Sequence, residues 1–290
     1  MALIPANRIF HHVTSKPTSV SRLLQEHFKV SSEKAEELIR LGSIYFNKRR
    51  IFSDISLPKG AYLRLHLHPK RFPVGEINWA EQIVVEEQDF IIVKKPAGIP
   101  THATVDNALE NTLAQVRLLL GKELFVTQRL DTPVSGLILF AKNKKYQAQF
   151  NTWLSERKVK KTYLALVEKE CALGRVTHFM EPSERSPKVV SPEPKPGWLP
   201  CELSILSCSP MEINGKTYFE LKIDLHTGRT HQIRAQLGAL GCPILGDRLY
   251  GSKVSLKRRE FIALMSLKLI WPPQNQKELS PPYFSSESIL

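Results

Sequence analysis

Residues 125–142 read Phe-Val-Thr-Gln-Arg-Leu-Asp-Thr-Pro-Val-Ser-Gly-Leu-Ile-Leu-Phe-Ala-Lys, and this stretch decides the fold. Its two apolar ends are rich in β-branched and aromatic residues, which predicts a strand on each side. Pro133 and Gly136 indicate a bend between the strands. Asp131 is expected at this corner, with Arg129 on the same side of the extended chain. Spacing alone leaves two interpretations open: Asp131 and Arg129 line a site, or Asp131 only supports the turn.

The corner resembles the signature of the RluA-type pseudouridine synthases, His-Arg-Leu-Asp-x-x-Thr-Ser-Gly-Leu, whose Asp is catalytic. This chain has Gln-Arg-Leu-Asp-Thr-Pro-Val-Ser-Gly-Leu over residues 128–137. Gln128 stands where His is usual, and Val134 stands where Thr is usual. Asp131 matches the catalytic residue of the family, so the resemblance implies that Asp131 carries the reaction.

Further blocks of the same family follow one another along the chain. Lys-Pro-x-Gly-x-x-x-His matches residues 95–102, and Lys-x-Tyr-x-Ala matches residues 161–165. Leu-x-Thr-Gly-Arg-x-His-Gln-Ile-Arg matches residues 225–234, and Gly-x-Pro-Ile-x-Gly-Asp matches residues 241–247. The resemblance implies an α+β fold of the pseudouridine synthase type, with a mixed, mainly antiparallel sheet and a central cleft.

The reaction implied by the resemblance turns uridine in RNA into pseudouridine and needs no cofactor. Asp131 would attack the sugar or remove a neighbouring sugar proton, and the sequence leaves both open. Arg229 would pair with Asp131 and keep it ionised, although contact with phosphate or a helix cap is an alternative. Tyr163 would stack on the uracil, whereas its pattern alone predicts a core residue of the sheet. The residues expected to bind substrate or RNA in this domain are Arg129, Lys95, His102, Gln232 and Arg234.

Residues 1–70 predict a separate small domain with an N-terminal extension. Residues 20–28 have helical spacing, Ser31 is a candidate N-cap of a second helix, and Gly42 is expected to end that helix. The order of helix, helix and hairpin, with Leu-Ile-x-x-Gly at residues 38–42, resembles the S-four RNA-binding domain of a ribosomal protein. A solvated basic surface is the alternative to the RNA contacts that this implies for Arg40, Lys48, Arg49 and Arg50.

Proline and glycine divide the remaining chain. Residues 71–82 are expected to be a linker, and residues 83–272 the catalytic domain. Residues 273–290 are expected to be a loosely held tail. Within the catalytic domain, the proline-rich residues 182–200 predict an extended surface loop.

Composition favours a polyanionic partner, because the net charge is +13. Four cysteines occur without a Cys-x-x-Cys pair, so no metal site is expected. No apolar run approaches the roughly 20 residues of a membrane span, and the first residues lack the pattern of a signal peptide. We therefore expect a cytoplasmic monomer with reduced thiols, no membrane contact and RNA as its partner.

A second class of function has to be weighed, namely an RNA-binding or assembly factor with weakened activity. Gln128 and Val134 favour it, because both depart from the family's pattern. The retained Asp131, Tyr163 and Arg229 favour an enzyme. Within the enzyme hypothesis, ribosomal RNA is the favoured substrate and transfer RNA is possible.

Overall fold

The computed structural model describes residues 9–258, 260–281 and 283–284. The chain divides into two compact units. The first consists of Met1–Trp79 and Ile99–Gly121, and the second of Ala80–Gly98 and Lys122–Leu290. This division differs from the predicted boundaries, since Ile99–Gly121 joins the N-terminal residues.

The first unit is built around a small antiparallel sheet in the strand order β1-β6-β3-β4, with β2 and β5 forming a separate pair. Its strands are β1 Ile9–Val13, β2 Thr18–Ser19, β3 Ile44–Phe46, β4 Arg49–Arg50, β5 Ser56–Leu57 and β6 Tyr62–His66. Its helices are α1 Val20–Phe28, α2 Ser32–Arg40 and α3 Thr112–Leu120, with a 3₁₀ turn at Val74–Glu76.

The first two helices begin and end where the sequence predicts. The Ser31 hydroxyl accepts a hydrogen bond from the backbone N–H of Lys34 and so caps α2. Gly42 has φ +65° and ends this helix in the left-handed conformation that glycine tolerates. The inward faces of α1 and α2 bury Leu24 and Leu38 completely. The likeness of this unit to an S-four domain stays a prediction.

Polar contacts join the segment Ile99–Gly121 to the rest of the first unit. The Ser43 hydroxyl donates to the carbonyl of Asp106 at 2.7 Å. Arg71, at the start of the predicted linker, forms an ion pair with Glu110 at 2.6 Å. A hydropathy pattern does not reveal polar contacts of this kind. For this reason the segment was predicted to belong to the catalytic domain.

The second unit contains a large sheet and two α-helices within the described residues. Its strands are β7 Ile83–Glu86, β8 Phe90–Lys95, β9 Phe125–Val126, β10 Ser135–Ala141, β11 Lys160–Val167, β12 Gly174–Met180, β13 Val190–Ser191, β14 Leu199–Ile213, β15 Lys216–Leu225, β16 Leu264–Trp271 and β17 Asn275–Glu278. The helices are α4 Lys144–Ser155 and α5 Gln232–Ala239, with a 3₁₀ turn at Arg248–Tyr250.

The large sheet has the strand order β13-β12-β14-β15-β11-β16-β10-β8-β7, with β17 paired to β16 and β9 to β10. Every named pair is antiparallel except β10 with β16. Gly136 lies opposite Ser266 in the parallel pair, and a Cβ there would lie 2.3 Å from the Ser266 carbonyl oxygen. The expected mixed, mainly antiparallel sheet is therefore confirmed.

Two expectations about irregular segments need correction. The proline-rich residues 182–200 contain β13 and the start of β14. The tail expected from residue 273 contains β17, whose Glu278 forms an ion pair with Lys268 of β16 at 2.9 Å. Parts of the predicted N-terminal extension and tail, namely residues 1–8, 282 and 285–290, lie outside the described residues.

Membrane-spanning helices and metal-holding clusters are both absent from the described ranges. No helix there is long and apolar enough to cross a membrane. No cluster of three or more His, Cys, Asp or Glu side chains there has the geometry to hold a metal ion. All four cysteines are free thiols.

Candidate active site

Asp131 lies in the loop between β9 and β10, at the predicted strand–loop–strand corner. The backbone N–H of Val134 donates to the carbonyl of Asp131 at 3.1 Å and closes the bend. The carbonyl of Thr132 accepts from the Gly98 N–H at 2.9 Å and from Lys95 Nζ at 3.1 Å. The loop is therefore fixed from the end of β8, while the Asp131 side chain keeps 24% of its surface exposed.

Arg234 holds the Asp131 carboxylate. Its Nη1 donates to Asp131 Oδ2 at 3.1 Å, while Nε and Nη2 donate to the two carboxylate oxygens of Asp247 at 2.6 and 3.0 Å. The side chains of Arg234 and Asp247 are only 6% and 2% exposed. A planar guanidinium that is locked on one carboxylate in this way presents its remaining edge to Asp131 in a fixed direction.

His231 lies close to the same carboxylate oxygen. It precedes α5 with φ +58°, and its Nε2 is 3.7 Å from Asp131 Oδ2. The Tyr250 hydroxyl accepts from the Lys188 N–H at 2.8 Å, so its own proton is directed to His231 Nδ1 at 3.0 Å. Burial lowers the pKa of His231, and we therefore assign the neutral ring with its proton on Nε2, facing Asp131.

Tyr163 comes to the site from β11. It lies between Ile223 of β15 and Ser266 of β16 in the sheet, and only 7% of its surface is exposed. Burial, and then the nearby charge of Asp131, raise the pKa of the phenol, so the hydroxyl stays protonated. Tyr163 is therefore a buried neutral group within the electrostatic reach of Asp131.

Residues 89–239 match the family model described as RNA pseudouridylate synthase, which covers the corner, β11 and α5. The chain belongs to the RNA pseudouridylate synthase family. The matched segment contains Asp131, Tyr163 and Arg234, while Asp247 lies just beyond it.

Relatives within this family were found by sequence and by structure. RNA pseudouridine synthase 6, chloroplastic, of Oryza sativa subsp. japonica is 36% identical over 214 residues, covering 67% of this chain and 45% of the relative. This chain thus spans less than half the length of that relative. Ribosomal large subunit pseudouridine synthase C of Rickettsia bellii is 27% identical over 278 residues, covering 91% of this chain and 89% of the relative.

A solved structure supports the fold. Human RNA Pseudouridylate Synthase Domain Containing 1 aligns with a TM-score of 0.58 and 24% identity, covering 70% of this chain and 84% of that chain. At this identity the likeness concerns the fold alone, and it agrees with the mixed sheet described above.

The predicted pairing of Asp131 with Arg229 is wrong, because Arg234 takes that place. Arg229 is exposed, and its guanidinium forms no ion pair with any residue that the structure describes. Its backbone N–H donates to the side-chain oxygen of Gln232 at 3.0 Å. Helix α5 begins only at Gln232, so Arg229 precedes the helix while Arg234 lies within its first turn.

Two residues expected to bind substrate or RNA are instead buried, and their side chains form hydrogen bonds within the protein. Lys95 is fully buried and donates to the carbonyls of Pro96 and Thr132, which orders the Asp131 loop. Burial lowers the pKa of Lys95 to about 7, although the charge of Asp131 opposes this shift. Gln232 is 3% exposed and accepts hydrogen bonds from Thr227 and Arg229. Neither side chain is free to contact RNA.

The other predicted contacts differ in their surroundings. Arg129 is exposed beside the corner, as RNA contact requires. His102 belongs to the first unit and is partly exposed. Arg40, Lys48 and Arg49 are exposed in the first unit, so RNA contact stays a prediction for them. Arg50 is different, because its Nη2 already donates to the Tyr45 hydroxyl and to the carbonyl of Thr104.

His231 and Asp247 are two further residues of the site, and neither was predicted to have a role there. Both were visible in the matched blocks, as the His of residues 225–234 and the final Asp of residues 241–247. The signal was their place in the motif, whereas their proximity to Asp131 depends on how α5 and the 3₁₀ turn are arranged.

Proposed function

We propose that this protein is an RNA pseudouridine synthase in which Asp131 carries the reaction. The observation that supports this most strongly is the fixed carboxylate: Asp131 Oδ2 lies 3.1 Å from Arg234 Nη1 at the family's signature corner. Tyr163 provides a buried aromatic group close to the same charge. The reaction breaks the bond from the ribose to a uracil nitrogen and forms one to a uracil carbon, so no group is gained or lost.

The two oxygens of Asp131 have different surroundings. Oδ2 faces both Arg234 and His231. Oδ1 accepts no hydrogen bond from the described residues, and the side chain is partly open to solvent. Oδ1 is therefore the oxygen that reaches the sugar, either as a nucleophile at the anomeric carbon or as a base at the neighbouring carbon.

Arg234 and Tyr163 prepare this step in different ways. Arg234 orients the carboxylate and places a positive charge beside it, since a guanidinium remains charged even when buried. The target uridine has to leave the RNA helix to reach a partly buried carboxylate. The Tyr163 ring then contacts the displaced uracil, and its protonated hydroxyl cannot act as a strong base.

Ribosomal RNA is the proposed substrate, and transfer RNA is the second possibility. The name of the Rickettsia relative refers to the large ribosomal subunit, and the net charge of +13 suits a large structured RNA. We keep the proposal of a cytoplasmic monomer. One observation favours the weakened-enzyme alternative. Gln128, which stands where the family usually has His, has its Nε2 buried without a hydrogen-bond partner among the described residues.

Mapping of pseudouridine in unmodified transcripts tests the proposal. Ribosomal and transfer RNA transcripts are incubated with the wild type, with Asp131→Asn, or with Asp89→Asn as a control for an exposed carboxylate in the same unit. We expect new pseudouridine in ribosomal RNA from the wild type and Asp89→Asn only. Signal in transfer RNA alone would replace the substrate, and no signal in any RNA that the wild type binds would favour the weakened-enzyme alternative.

A further inference from the structure

A row of cross-strand neighbours on the small sheet of the first unit carries positive charge without a carboxylate. Tyr45 of β3 lies opposite Arg64 of β6 on one side and Arg50 of β4 on the other. His11 of β1 lies opposite Arg64 on its far side. We call these four residues the cationic row.

Both arginines of the row lie against Tyr45. The Arg64 guanidinium carbon is 4.0 Å from the centre of the Tyr45 ring, and that of Arg50 is 5.1 Å away. Neither arginine forms an ion pair with any residue that the structure describes. Two guanidinium groups held on one ring without an anion repel each other, and an added negative charge would offset this cost.

Three buried nitrogen atoms at this place have no hydrogen-bond partner among the described residues. They are Nε of Arg64, Nη1 of Arg50 and Nε2 of His66. His66 is only 7% exposed, and its ring centre is 6.0 Å from that of Tyr45. Buried polar atoms are normally paired, so three such atoms around one tyrosine point to an absent partner.

Asp106 is an acidic residue whose charge acts on this cluster. Burial and then the charge of Arg64 lower the pKa of His66, and the charge of Asp106 opposes this shift. The Asp106 carboxylate is already occupied, since it accepts from the Thr104 hydroxyl at 2.7 Å and from the Lys70 N–H at 2.8 Å. Within the described ranges, therefore, no carboxylate forms an ion pair with the guanidinium group of Arg50 or of Arg64.

We propose that the cationic row binds a phosphate of an RNA strand, with Arg64 as the main contact. The inference rests on the proposed RNA substrate but concerns a surface of the first unit. Arg64 is only partly buried, so part of its side chain is open to an approaching phosphate. A planar guanidinium without a carboxylate is the group best suited to a phosphate.

Exposed aromatic rings within and beside the row favour RNA over free phosphate. His11 and Tyr62 stack with ring centres 5.8 Å apart, and Tyr62 is 38% exposed. Tyr62 and Arg64 are two residues apart on β6 and so face the same side of the sheet. Aromatic rings interleaved with cations form the usual platform for a single strand, whose bases stack on the rings.

The first test measures RNA binding by the full-length protein over a range of salt concentrations. A fluorescein-labelled single-stranded RNA of mixed sequence is titrated with the wild type, with Arg64→Gln, and with Arg22→Gln. Arg22 is a matched control, because it is an exposed arginine of the same unit that is paired with Glu26 at 2.7 Å. We expect Arg64→Gln to weaken binding and to reduce the salt slope by about 0.7, while Arg22→Gln leaves the slope unchanged. Equal slopes for the two variants would overturn the proposal.

Two further variants keep the test decisive if Arg64→Gln is poorly folded. Arg64→Lys keeps the charge and should keep the slope while binding more weakly, because lysine lacks the planar fork. Tyr62→Leu should weaken binding at an unchanged slope, since it removes stacking and no charge. Normal binding by both would also overturn the proposal.

A thermal melt separates RNA from other occupants. Potassium phosphate is compared with potassium chloride at equal ionic strength, using the wild type and Arg64→Gln. If phosphate raises the wild-type melting temperature alone and the RNA slopes are equal, the row binds free phosphate and the proposal is wrong. If neither measurement responds, only water occupies the site and the proposal is again wrong. Pseudouridine formation by the same preparations is scored separately, so a failed proposed function is distinguished from a failed RNA surface.

Discussion

Replacement of Arg234 by lysine tests the proposed geometry most sharply. Arg234 makes three hydrogen bonds, two with Asp247 and one with Asp131. A lysine keeps the charge but has no planar fork, so it cannot serve both carboxylates in this way. A hydrogen bond to a charged group contributes about 1.5–3 kcal/mol. If the bond to Asp131 is lost in the transition state, kcat/KM should fall roughly 10- to 150-fold.

The assay is the release of tritium from carbon 5 of uracil in a mapped RNA, measured at subsaturating substrate. Arg229→Lys is the matched control, because Arg229 lies in the same motif but is exposed and away from Asp131. We expect RNA affinity to be nearly unchanged in Arg234→Lys, since its side chain is buried. A normal rate for Arg234→Lys together with a large loss for Arg229→Lys would refute the role of Arg234 and favour a pairing of Asp131 with Arg229.

Three further predictions concern stability. The buried Lys95 has a pKa of about 7, so above this pH the unfolded chain binds more protons at this site than the folded chain does. The free energy of unfolding of the wild type should therefore rise relative to that of Lys95→Met from about pH 7 toward about pH 10.4. If urea denaturation gave both proteins the same dependence of this free energy on pH, the prediction would be contradicted. Lys48 has φ +66° in a hairpin turn, so Lys48→Gly should raise the free energy of unfolding by about 0.5–1 kcal/mol. Arg49→Gly in β4 should lower this free energy. A change of the same sign in both variants would contradict the left-handed conformation of Lys48. Gly136 lies against the backbone of Ser266, so Gly136→Ala should cost more than about 3 kcal/mol by denaturant titration, and a mild effect would argue against the parallel pair.

Much of the local structure was predictable from the chain. The corner at Asp131 follows from two apolar runs around Pro133, and the structure has β9 and β10 on either side of it. Ser31 was predicted to begin α2 and does so through its hydroxyl. These features depend on a few neighbouring residues, which a sequence displays directly.

The partner of Asp131 was not predictable in the same way. Arg229 and Arg234 lie in one motif, and either spacing is compatible with a contact. In the structure His231 has a left-handed backbone and precedes α5, so Arg229 lies before the helix and Arg234 lies within its first turn. Such a conformation is uncommon outside glycine, so the sequence gave no reason to expect it.

Burial of charged and polar side chains was also missed. Lysine is rarely fully buried, which made surface contact the natural expectation for Lys95. Its position is explained by two carbonyl partners from the turn that follows β8 and from the Asp131 loop. Those partners become visible only when β8 and β10 are paired in register.

The most direct test of the central claim is a single-turnover comparison of Asp131→Asn with the wild type on one mapped RNA. Both proteins are first shown to bind that RNA with equal affinity and to unfold at similar temperatures, and Asp89→Asn serves as the control for an exposed carboxylate. The account predicts no tritium release and no pseudouridine from Asp131→Asn, with normal turnover by Asp89→Asn. Turnover by Asp131→Asn at the wild-type rate would contradict it.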